Sequence, residues 1–179
     1  MNASTAQRPA NPFTIFLAGL QAGMIGSCWM LAWLGVSAAA QRRSFWTAAN
    51  LMASVFPGDA AIRRGFGSST VSGIALYLLI YSLLGAAFAC TIRNRFTSLG
   101  TVLLGVFFSM GWYYLWFRAL GQTVMPLVWL LHAERSTAFG HVIFGALVAR
   151  FPVYLPAATA AATSEVEPEA DAPATAPDP

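Results

Sequence analysis

Apolar residues run along this chain in long uninterrupted stretches, with the polar and charged residues gathered between them. The first stretch, residues 13–40, has no charge in 28 positions. About 20 helical residues, rising about 1.5 Å each, cross the hydrocarbon of a bilayer, so this run predicts a spanning helix with length left for tilt. Asn11 and Pro12 precede it as helix-starting residues. Ala38, Ala39 and Ala40 resemble a signal-peptide cleavage site, but the run is too long for a signal peptide and only Arg8 comes before it. A second span is expected over 71–92, closed by Arg93 and Arg95. A third is expected over 99–120, with Arg118 near its end, where the side chain can reach the headgroups. The short Thr97-Ser98 connection makes these two helices antiparallel neighbours.

The fourth span is a weaker pattern. Residues 137–155 reach spanning length only by including His141, Arg150 and Pro152, with Phe151 and Tyr154 placed to anchor the far end as interfacial aromatics. A short span is expected there, and a helix that dips in and stays buried against the others is the alternative. Two further segments, 44–56 and 124–131, are too apolar for plain loops and too short to cross. In the first, Phe45, Ala49, Met52 and Phe56 lay one apolar stripe along a helix that Ser44 can cap and Pro57-Gly58 stops. Each follows a long span and precedes another, so an internal parallel duplication fits the order, with 78–82 laid against 141–145.

The fold expected is thus all-α: a polytopic transmembrane helix bundle over 13–155, with three spans, a short fourth and two interfacial or re-entrant segments. A polar stretch, 1–12, precedes it. The acidic Pro/Ala-rich tail, 156–179, cannot bury enough apolar area to fold and is expected to be disordered.

Composition agrees with membrane residence, since 57% of residues are hydrophobic and only 9% charged, against about 25% charged in a soluble domain. All ten basic residues are arginines and stand in short groups beside apolar runs, which speaks for membrane flanks and against nucleic acid. The lack of lysine suggests a genome rich in G and C, and with it a bacterial inner membrane. With four spans, Arg42, Arg43, Arg63, Arg64, Arg118 and Arg135 share one side and Arg8, Arg93, Arg95 and Arg150 the other, so the first side is expected to be cytoplasmic. Cys28 and Cys90 read as small buried hydrophobes rather than a disulfide.

Small residues carry the clearest signal inside the spans, because helices in lipid associate by close backbone approach. Gly19, Gly23 and Ser27 recur every fourth residue in the first span, and Gly85 and Ala89 do so in the second. This seam can serve packing within one chain or hold a partner. The densest polar group is Arg118, His132, Glu134, Arg135 and His141, a candidate proton or anion path whose simpler reading is a wet loop at the membrane surface. Two histidines without a carboxylate or cysteine cluster make a poor metal site. Trp112, Tyr113, Tyr114 and Trp116 could stack on a quinone or pigment, or form an aromatic belt at the span end. The segment from Gly65 to Thr70 lacks the lysine and preceding strand of a phosphate loop, and Ser68 to Thr70 read as a helix cap. No serine, cysteine or threonine has a base and an orienting acid in reach, so no enzyme, cofactor or soluble substrate is expected. The function expected is an accessory or assembly subunit, or a homo-oligomer, with the bilayer and a membrane protein as partners. The alternative is a small transporter or channel with a polar path near Arg118, Glu134 and His141.

Overall fold

The structure is a computed structural model that describes residues 11–56, 65–93 and 96–155, apart from the side chain of Arg118. The N-terminal polar stretch before Asn11, the acidic tail, Arg63, Arg64 and Arg95 lie outside the described residues. Among those described, every regular element is helical, and three helices are long and apolar enough to cross a membrane.

Helix α1, Pro12–Ala40, is started by the Asn11 side chain, which accepts a hydrogen bond from Phe13 N, and by proline in its first turn. It ends in a Schellman motif. Arg42 takes φ 58°, and the amides of Arg43 and Arg42 donate back to Ala38 O and Ala39 O. Helix α2, Thr47–Ala53, is short, and α3, Ser68–Ile92, begins three residues earlier than its hydropathy suggests because the Thr70 hydroxyl accepts from Gly67 N and caps it. Helix α4, Ser98–Tyr114, passes into a π-helical turn at Leu115–Leu120, then into α5, Gly121–Val124. Pro126 lacks an amide hydrogen and restricts Met125, so α5 breaks and α6, Pro126–Leu131, starts afresh. Helix α7, Glu134–Val148, runs 15 residues, about 22 Å, and a 3-10 turn at Phe151–Tyr154 follows it. The fourth element is therefore a helix of less than full bilayer length, ending before Arg150.

Two seams of small residues close one end of the bundle. A Cβ built on Gly19 would lie 2.6 Å from Ala89 Cβ and 2.7 Å from Gly85 O, and one on Gly23 would lie 2.5 Å from Tyr81 O and 2.9 Å from Ser82 Cα. Backbones of α1 and α3 therefore touch. Across the other pair, a Cβ on Gly145 would lie 2.6 Å from Gly105 O. Under the alignment of 78–82 with 141–145, Ser82 and Gly145 are equivalent, and each packs on a glycine of the first span in its own half. Seam residues Gly19, Gly23, Gly85 and Ala89 thus meet inside this chain. Ser27 is also buried, but its hydroxyl turns back to Met24 O in its own helix.

At the opposite end large side chains hold the same helices apart, and the short helices α2 and α6 fill the opening. The stripe expected along residues 44–56 is divided: Ala49 and Met52 are buried, whereas Phe45 and Phe56 stay exposed. Helix α2 is wedged rather than laid on a surface, since Gly73 of α3 sits directly under the Ala49 carbonyl. Asn50, fully buried, pins it by accepting from the Thr70 hydroxyl at 2.7 Å and donating to Gly65 O at 3.2 Å. Asn50→Leu should lower the melting point in detergent by the equivalent of about 1–3 kcal/mol, because Thr70 loses its acceptor in a dry site. An unchanged melt would show that α2 is held by apolar packing alone. Cys28 does not pack in the core as expected; it lies on the outer face of α1, and both cysteines are free.

Candidate functional site

Tyr77 and Tyr81 stand one turn apart on α3 and so share a face. Both are buried, and their rings stack at 4.4 Å with an interplanar angle of 22°. Opposite them on α7 is His141, 1% exposed. Its Nδ1 lies 2.8 Å from Thr137 O, a carbonyl that can only accept, so Nδ1 carries the hydrogen and the neutral ring leaves Nε2 as an acceptor. The Tyr81 hydroxyl donates to that Nε2 at 2.8 Å. Ser109 of α4 donates to the His141 carbonyl at 2.7 Å, and Tyr113 and Phe144 pack their rings around the pair. Three helices thus converge on one histidine near the middle of α3.

A cavity of about 80 Å³ adjoins this group. Tyr77 and Tyr81 form one wall, Trp112, Trp116 and Phe117 another, and α2 and α6 cover it with Leu51, Met52 and Val128. Trp112 and Trp116 stack on each other at 5.9 Å. The π-helical turn that carries Trp116 and Phe117 alters the helical phase there, a feature frequent at functional sites. The rim is polar: the Ser37 and Ser136 hydroxyls bond to each other at 2.5 Å, Gln41 donates to both, and Arg43 donates to Leu131 O. Trp33 Nε1 donates to Ser136 O at 2.9 Å, which completes the tie between the end of α1 and the start of α7.

Two polar atoms in this cavity lack partners. Tyr77 is 3% exposed, and although its hydroxyl lies near that of Tyr81, it makes no hydrogen bond of good geometry. His132 stacks on Phe117 at 3.9 Å and donates from Nδ1 to Trp129 O at 2.7 Å, which leaves a buried Nε2 acceptor with nothing bonded to it. A buried unpaired polar group costs about 1–3 kcal/mol, so two beside one cavity are better explained by a missing bonding partner than by packing.

The polar group singled out by sequence is brought together only in part. His132 and Glu134 border a more open groove with Tyr113, Tyr114 and Trp129, Arg135 is exposed, and Arg118 lies on the π-helical turn. His141 sits deeper, beyond the rings of Tyr113 and Phe117. The four clustered aromatics divide likewise, with Trp112 and Trp116 lining the cavity, Tyr113 buried and Tyr114 exposed. Sequence reasoning missed Tyr77, Tyr81 and Asn50. Two tyrosines at helical spacing well inside a span were the available signal, since an aromatic belt belongs at the ends. Among the described residues no group of three or more metal-ligating side chains comes together.

Comparison with protein-family models, curated proteins and solved structures finds no match. Fold and site together define an all-helical protein with three membrane-length apolar helices and an internal, mainly apolar cavity that carries unpaired polar atoms.

Proposed function

We propose that this chain is a multi-pass integral membrane protein, crossing the bilayer four times, that holds one small amphipathic molecule in the cavity beneath α2 and α6. The observation that carries this reading is the buried Tyr77 hydroxyl without a hydrogen bond of good geometry, on the wall of a mainly apolar cavity. An occupant with an oxygen atom would give that buried group the partner it lacks. On this reading the cavity rim faces the cytoplasmic side of a bacterial inner membrane, a reading that the excess of arginines on that side supports. The role is binding, and no side chain is required to react.

Native mass spectrometry of the full chain released from nanodiscs tests this. One small molecule per chain is expected on the wild type, and loss of at least about 90% of it on Ile80→Trp or Leu34→Phe, which fill the cavity while keeping apolar character. A wild-type chain that carries nothing, or filled variants that carry as much, would contradict the reading.

An accessory or self-associating role is a second reading. It has its own observation, since Leu99, Leu103 and Phe107 of α4 face outward and a Cβ on Gly111 would meet nothing within 4 Å. A cysteine at Leu103 should then crosslink to a second chain in membranes, and a purely monomeric product would remove it. A transport path from Glu134 to His141 has less support, because it would have to pass the buried rings of Tyr113 and Phe117.

A further inference from the structure

The geometry points to a quinone-type ring as the occupant of this cavity: a single six-membered ring bearing oxygen atoms and an apolar tail, with one ring oxygen bonded to the Tyr77 hydroxyl. This rests on the reading that the cavity holds an amphipathic molecule, and it names the chemistry of that molecule.

Size is the first argument. A water needs roughly 10–15 Å³ measured this way, so 80 Å³ corresponds to about five to eight waters, enough for one substituted ring and too little for a fused sterol or a glycerol headgroup with its chains. Shape is the second. The cavity lies among flat side chains, the stacked pair Tyr77 and Tyr81 and the stacked pair Trp112 and Trp116, which offer ring faces to a planar guest rather than the rounded wall that suits a flexible acyl chain.

Polarity is the third argument and the most specific. The Tyr77 hydroxyl can donate to a ring carbonyl or accept from a ring hydroxyl, and His132 Nε2, with its hydrogen on the other nitrogen, can only accept. An oxidised ring satisfies Tyr77, and a reduced ring with hydroxyl groups can satisfy both. The rim of Ser37, Gln41 and Ser136 bonds within itself, and the Arg43 guanidinium beside it donates to Leu131 O.

The test is a titration of the full chain in nanodiscs with decylubiquinone, following tryptophan fluorescence, which quinones quench. Two of the six tryptophans line the cavity, so saturable but partial quenching is expected. Tyr77→Phe should weaken the apparent Kd about tenfold, as expected for one buried hydrogen bond. It should not lower the melting point of the ligand-free protein, because the hydroxyl it removes makes no hydrogen bond of good geometry. Quenching that rises without saturation, or that is the same in Tyr77→Phe, would overturn the inference. A fluorescent fatty acid titrated in parallel separates the two levels: saturable binding of the fatty acid with none of decylubiquinone rejects the quinone and keeps the cavity reading, whereas binding of neither rejects both.

Discussion

Gly23→Leu is expected to prevent the folded bundle from forming. The atoms facing Gly23 are the Tyr81 carbonyl and the Ser82 backbone, so a leucine meets main chain that cannot rotate aside. Overpacking a core usually costs about 1–3 kcal/mol, and here the α1 to α3 contact must open along its length, so a loss above about 3 kcal/mol is expected. Size-exclusion profiles in mild detergent should change from one symmetric peak to aggregate. Gly85→Leu should behave the same way, since Gly85 meets Gly19 and Gly23 from the other side. Gly111→Ala is the control: open space surrounds it, and replacing a helical glycine there should leave the melt unchanged or raise it by the equivalent of up to about 1 kcal/mol. Normal elution of Gly23→Leu would mean that α1 and α3 do not approach as closely as these contacts require.

His141→Leu is the second large effect. It leaves the buried Tyr81 hydroxyl without an acceptor and removes the ring packed by Tyr113, a loss of about 2–3 kcal/mol in thermal unfolding. Hydrogen bonds between membrane helices average only about 0.6 kcal/mol in double-mutant cycles. The larger figure arises because the unpaired hydroxyl, and not just the bond, counts against the variant. Adding Tyr81→Phe should therefore restore roughly half of the lost stability. A double variant no better than His141→Leu would assign the loss to packing around the imidazole instead.

Spans and seams were legible in the sequence for a shared reason: both depend on short-range properties. Length and apolarity alone predict α1, α3 and the third helix, and glycine at every fourth position predicts a close approach whatever the partner. Helix ends were less legible. The start of α3 is moved by one threonine cap, and the third helix becomes π-helical at Leu115, where nothing local in Leu115–Leu120 announces a change of phase. The pattern at 44–56 fits an interfacial and a re-entrant segment alike, and the neighbour that decides between them is α3, twenty residues further along, which holds the segment through Asn50.

The site was harder to foresee because its pairs are remote. Tyr81 and His141 stand 60 residues apart, and they meet because α3 and α7 both pack on α1. Closeness in sequence misdirected the polar grouping. Glu134 and His141 are seven residues apart, about 10 Å along a helix, enough to carry the histidine from the exposed end of α7 into the bundle interior. Tyr77 gave no warning of its unpaired hydroxyl, since that depends on what the other helices around the cavity fail to supply.

The account depends most on α7 crossing the membrane, because the cavity then opens at one face and the seams close the other. Single cysteines at Ser98, Glu134 and Val153, in a chain with Cys28 and Cys90 changed to alanine, can be labelled with a membrane-impermeant maleimide in intact and opened vesicles. Ser98 and Val153 should react from one side and Glu134 only from the other. Labelling of Glu134 and Val153 from the same side would show that α7 does not cross, and the four-span arrangement with its one-faced cavity would be wrong.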